Sequence, residues 1–273
     1  MLRARFCDCG RRVANCRPMT KTVPHTLEPK GSPNQVFDAA YVALALALFA
    51  AMSLGRRVDL TGDVAVVTWD PATWHFVHDA TKTFLMPILL VRTFVGTGGC
   101  RVKGLSTHGV GFWVVWAMTL CWIGDIALTR DGSLAFLVGL SAFLLGHFGY
   151  IMAFRRIVQA VNLGVTSLRS RVVVASLLGS VVLGLNILLL EGAGDMAPAL
   201  LVYSVVIGTM AFTAWSMDAS SGGVEFRKAV RLLSLGALVF MASDILIAID
   251  KFYEPFSWSH HAVMLTYIIA QWM

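Results

Sequence analysis

Two aspartates lie where charge is costly. Asp125 falls in the apolar run GFWVVWAMTLCWIGDIAL, and Asp244 falls in LLSLGALVFMASDILIAI. Each run is long enough to cross a bilayer, and a carboxylate inside a membrane span marks a functional site by default. Two carboxyl groups held away from water can do acid–base work without a metal. Low polarity disfavours the charged form, so one group can keep a proton for donation. The other can act as a carboxylate that steadies a cation or takes a proton from water, as in glycoside hydrolysis. Further polar side chains lie in or beside apolar runs at Lys82, His147, Tyr150, Asn186, Tyr203, Ser243 and Tyr267.

The elements that position these residues follow from composition. Of 273 residues, 57% are hydrophobic and 14% charged, with a mean hydropathy of +0.71. A soluble domain of this size cannot hide so much apolar surface. The chain divides instead into apolar runs near the length of a bilayer core. Spans are predicted at about 36–54, 81–97, 109–128, 133–154, 172–191, 196–217, 229–250 and 259–273. The expected fold is all-α, a polytopic membrane bundle of about eight transmembrane helices. Helices satisfy their own backbone hydrogen bonds in lipid, and these runs lack the alternation of barrel strands. Residues 36–273 form one helical domain on this reading, and residues 1–35 form a disordered basic tail. The tail carries Cys7, Cys9 and Cys16 at a spacing that fits no standard zinc pattern.

Basic residues sort by side. Sixteen of the 22 Lys and Arg fall in the tail and in the loops after spans 2, 4 and 6. Both termini are therefore expected in the cytoplasm. A eukaryotic endoplasmic reticulum membrane fits this sorting, and a bacterial inner membrane obeys the same rule. The net charge of +6 is explained by the sorting and by anionic lipid head groups, and no basic stripe points to nucleic acid. With odd-numbered spans running outward, Asp125 lies about 10 Å and Asp244 about 7 Å beyond the midplane. Asn186 and Tyr203 fall at similar depth, Lys82 opens span 2 on that side, and His147 lies slightly inward with Tyr150 one turn away. A purely structural reading remains open for Asp125, which could accept a hydrogen bond from Trp122 or Arg130 near its helix end.

Span 4 presents Gly139, Ala142, Gly146 and Gly149 on one stripe, which reads as close helix packing. Pro87 reads as a kink and Pro198 as a first-turn residue. Asp70-Pro71 reads as a cap opening a short amphipathic helix at the outer interface. HEXXH, GXSXG and a phosphate-binding Gly-Lys-Ser/Thr loop are absent. His75, His78, His260 and His261 share one side but lie away from the buried acids, so no metal site is expected.

Gly124-Asp125, Phe136, Gly139, Phe143, Gly146-His147 and Tyr150 resemble the YhhN/TMEM86 family, which includes the lysoplasmalogenases. A second block agrees: Leu235-Gly236-Ala237, Phe240, Ser243-Asp244, Ala248, Phe252, Tyr267 and Gln271. Pro198, Tyr203 and Met210 form a weaker third block. Lys82 resembles the lysine that opens the family's second helix, although Thr83 stands where the family usually has proline. The similarity spans roughly residues 36–273. It implies a multi-pass ether hydrolase that needs no metal or other cofactor and cleaves the vinyl ether of lysoplasmalogens. The products are a fatty aldehyde and glycerophosphoethanolamine or glycerophosphocholine. The family's favoured catalytic pair maps onto Asp125 and Asp244. Lys82 could then pair with the phosphate, and His147 or Tyr203 could orient a carboxylate. The alternative from another class is a proton-coupled carrier or lipid transporter that uses the buried acids as a relay.

Overall fold

The computed structural model describes residues 34–54, 71–96, 109–130, 132–161, 163–220, 222–256 and 258–273. The tail through residue 33, with its three cysteines, lies outside them. The described residues form eight α-helices: α1 (Asn34–Leu54), α2 (Pro71–Gly96), α3 (Val110–Leu128), α4 (Ser133–Ala160), α5 (Leu168–Ala193), α6 (Ala197–Trp215), α7 (Val224–Phe252) and α8 (Ser259–Trp272). The protein is an all-α membrane bundle. Four stretches are long and apolar enough to cross a bilayer: Val110–Leu128, Ser133–Ala160, Leu168–Trp215 and Val224–Phe252. The third of these runs through both α5 and α6. Val36–Ala50 in α1 and Thr83–Val95 in α2 are apolar but shorter.

Specific hydrogen bonds fix the register of neighbouring helices. Trp122 near the end of α3 donates Nε1–H to the Thr83 carbonyl near the start of the apolar part of α2, at 2.9 Å. Asn186 of α5 donates to Ser204 Oγ of α6 at 2.8 Å, and Ser234 of α7 donates to the Ala214 carbonyl of α6 at 2.8 Å. Ser243 of α7 donates to the Val263 carbonyl of α8 at 3.1 Å. Tyr41 closes α1 onto α8 through the Ile268 carbonyl at 3.0 Å. Each bond satisfies a polar group that would otherwise be stranded away from water.

The small-residue stripe of α4 does what its spacing predicts. A Cβ on Gly146 would meet Cys121 Sγ at 3.0 Å and the Ala117 carbonyl at 3.2 Å. One on Gly149 would meet Ala117 and Trp116 at 3.0 Å. Backbone-to-side-chain contact of this kind brings α3 and α4 together along their length. Gly132, with φ +114°, opens α4, a backbone conformation that L side chains rarely adopt. Pro198 lies in the first turn of α6, as expected, and Pro87 lies inside α2.

Two features depart from the sequence reading. The helix opened by Pro71 does not stop at the interface but continues into the apolar segment as one α2. Two short strands, β1 (Gly164–Val165) and β2 (Met217–Asp218), pair antiparallel and join the α4–α5 and α6–α7 connections. Two-residue strands carry too little pattern to be read from sequence.

Candidate functional site

The two aspartates each meet a tyrosine from a distant helix. Tyr267 of α8 donates its hydroxyl to Asp125 Oδ2 at 2.6 Å. Tyr203 of α6 donates to Asp244 Oδ2 at 2.5 Å. Asp125 is 3% exposed. Trp122, one of its expected partners, instead bonds to α2.

His147 joins the Asp244 group. It is wholly buried, and its Nε2 stands 3.6 Å from Asp244 Oδ2, beyond hydrogen-bond length. Its ring packs edge-on against Tyr203 and Phe240, with centroids 5.4 and 4.8 Å away. A run of packed aromatic rings connects the two groups. Phe240 packs edge-on against Tyr267 at 5.5 Å, and Phe143 packs edge-on against both Tyr267 and Phe240 at 6.1 and 6.4 Å.

Asp244 also reaches a space. Its side chain is 10% exposed, and it lines a mostly apolar crevice of about 40 Å³ with Leu128, Phe136, Phe143, Leu200 and Tyr203 among its walls. That volume admits water but not an alkyl chain. A second cavity of about 180 Å³ is lined in part by Arg92, Thr93, Tyr150, Phe240 and Gln271. Neither aspartate lines it. Tyr150 bridges this cavity's floor by donating to Gln271 Oε1 at 2.8 Å.

The expected site residues therefore divide. Asp244, Tyr203 and His147 form one cluster, and Asp125 and Tyr267 form another beside it. Tyr150 belongs to the neighbouring cavity. Ser243 and Asn186 are taken up by the α7–α8 and α5–α6 seams. Lys82 lies in α2, but its side chain is outside the described residues, as are those of His75 and His78. His260 is exposed, and His261 packs near the Phe49 ring. Sequence reasoning passed over Cys121, a buried thiol one turn before Asp125 and on the same helix face, close to Tyr150 and Gln271. Its i−4 spacing from Asp125 was the available signal.

The buried tyrosine–aspartate pairs sit on the same blocks of residues that suggested a family. A profile of the YhhN family matches residues 77–273. Human lysoplasmalogenase TMEM86A is 29% identical over 180 residues, covering 63% of this chain and 70% of that protein. No solved structure matches the chain. The matched region begins within α2 and takes in both aspartates, both tyrosines and His147, and the chain belongs to the YhhN family.

Proposed function

We propose that this protein is a membrane hydrolase of the vinyl ether bond in lysoplasmalogens. The observation that carries the reading is Asp244, held by Tyr203 in the wall of a water-sized crevice, with a second buried carboxyl, Asp125, linked to it through the packed rings of Tyr267, Phe240 and His147. The lysoplasmalogenase relative supports the substrate class.

The chemistry needs few groups. A carboxylic acid protonates the β-carbon of the vinyl ether, and the double bond's electrons form the new C–H bond. The α-carbon is left as an oxocarbenium ion. Water adds there and loses a proton to a carboxylate. The resulting hemiacetal collapses to the aldehyde and the free glycerol hydroxyl. Asp244 faces the crevice and is assigned the direct contact with the reacting carbons and water. Asp125 is its electrostatic partner across the Phe143–Phe240 ring layer. Tyr203 and Tyr267 hold the two carboxyl groups in orientation, and His147 stands ready to orient Asp244.

The direct test gives purified protein a lysoplasmalogen in detergent and follows aldehyde release. Aldehyde with stoichiometric glycerophospho-head group is the expected result. Lysolipid movement across a liposome membrane without aldehyde would instead establish the carrier alternative.

Removing an orienting hydroxyl isolates its part. Tyr203→Phe and Tyr267→Phe each keep the ring packing and lose one hydrogen bond to a carboxyl group. Each is expected to lower kcat about tenfold with little change in KM, the scale of one lost bond to a charged or polarised group. Unchanged kcat in both variants would remove the tyrosines from the mechanism.

A further inference from the structure

Asp244, Ile247, Ala248 and Lys251 fall at i, i+3, i+4 and i+7 of α7 and so share one face of the helix. The first three line the crevice. Lys251 Nζ lies 5.1 Å from the centroid of Phe136, which is another wall of the same crevice. Phe136 in turn packs edge-on against Phe252 at 5.8 Å. The ammonium group therefore stands at the rim, two helical turns or about 10 Å along the axis from Asp244. Lys251 is exposed and pairs with no carboxylate among the described residues. Its neighbour Asp250 is occupied, accepting from the Phe256 amide at 3.2 Å.

We infer that Lys251 is a head-group anchor, binding the phosphate of a lysophospholipid whose reactive bond reaches down to Asp244. The inference rests on the proposed hydrolase reading and names how that site selects its substrate class. A lysophospholipid places its phosphate in water and its ether linkage a glycerol's length deeper, which is the order of Lys251 and Asp244 along α7. A lysine supplies a compact charge suited to a phosphate at an aqueous rim. The phosphate is common to ethanolamine and choline head groups, so this contact selects for phosphate and not between the two.

The cavity of about 180 Å³ is the competing location, because Arg92 lines it. Two observations weigh against it. Arg92 Nε is already 2.6 Å from Asp38 Oδ1, so its charge is neutralised within the bundle. Neither aspartate lines that cavity.

The test measures binding of a saturated-ether lysophospholipid, which the protein cannot hydrolyse, beside an alkylglycerol of the same chain that lacks phosphate. Lys251→Gln is expected to raise the Kd of the phosphate ligand about tenfold, the scale of one charge-assisted contact, and to leave the alkylglycerol unchanged. Lys251→Arg restores most of the affinity, and Arg92→Gln leaves it near wild type. The inference is overturned by an unchanged Kd in Lys251→Gln, or by equal weakening of both ligands, as a merely structural lysine would give. It is likewise overturned if Arg92→Gln alone weakens binding, or if the intact protein does not prefer the phosphate ligand. Aldehyde release is a separate measurement, so loss of the hydrolase reading and loss of the anchor are told apart.

Discussion

Asp244→Asn lowers kcat for aldehyde release by about 10²–10⁴-fold, the usual worth of a positioned general acid or base. An amide keeps the size and accepts the Tyr203 hydrogen bond through its carbonyl oxygen, so the pocket retains its shape. It cannot donate an acidic proton to carbon or receive one from water. KM changes little, because the anchoring contacts lie elsewhere. Asp125→Asn is expected to cost less than Asp244→Asn, since Asp125 does not line the crevice. The double variant is expected to fall no further than Asp244→Asn alone, because residues that work as a unit are not additive. Steady-state kinetics on the three variants, with thermal melting as a check on folding, decides the matter. Wild-type turnover in both single variants would refute the acid–base mechanism while leaving family membership untouched.

Gly146→Leu is the second change expected to have a large effect, and it acts on the scaffold. The added Cβ alone would approach Cys121 Sγ to 3.0 Å and the Ala117 carbonyl to 3.2 Å. The rest of a leucine side chain has no room between α3 and α4, so α3 must move outward. Overpacking of this kind typically costs about 1–3 kcal/mol, and more where backbone rather than a flexible side chain is met. Because α3 also carries Asp125, the displacement breaks the Tyr267 contact. The expected result is loss of most monodisperse protein on gel filtration. Gly179→Leu is the matched control. A Cβ there meets nothing within 4 Å, and leucine is the better helix former. Equal yields for the two variants would show that the α3–α4 seam tolerates expansion.

The sequence and the structure agree best where a single rule acts. Hydropathy placed α3 within a residue of its true start, because Asp125 is the one charge in an otherwise apolar helix. The same rule cut α7 short at both ends. The described helix begins at Val224 with Glu225, Arg227 and Lys228 in its first turns, which are helical but too polar to read as a span. Depth arithmetic brought Asp125 and Asp244 to one layer, and in the structure each carboxyl accepts from a tyrosine of a packed aromatic cluster. Depth says nothing about which way a side chain points around its helix. Asn186 shares the layer, yet it faces Ser204 in the α5–α6 seam. The tyrosine partners follow the same logic: Tyr203 and Tyr267 come from helices 41 and 142 residues away in sequence, and only packing selects them.

The small size of the crevice at Asp244 has a kinetic meaning under the proposed function. A space of about 40 Å³ leaves the hydrocarbon tail of any substrate in the surrounding lipid. Chain length then contributes little to recognition, and the enzyme samples substrate as a two-dimensional solute. Its rate is set by the mole fraction of lysolipid in the membrane, so diluting the bilayer with inert lipid slows turnover even when the total amount of substrate is held constant.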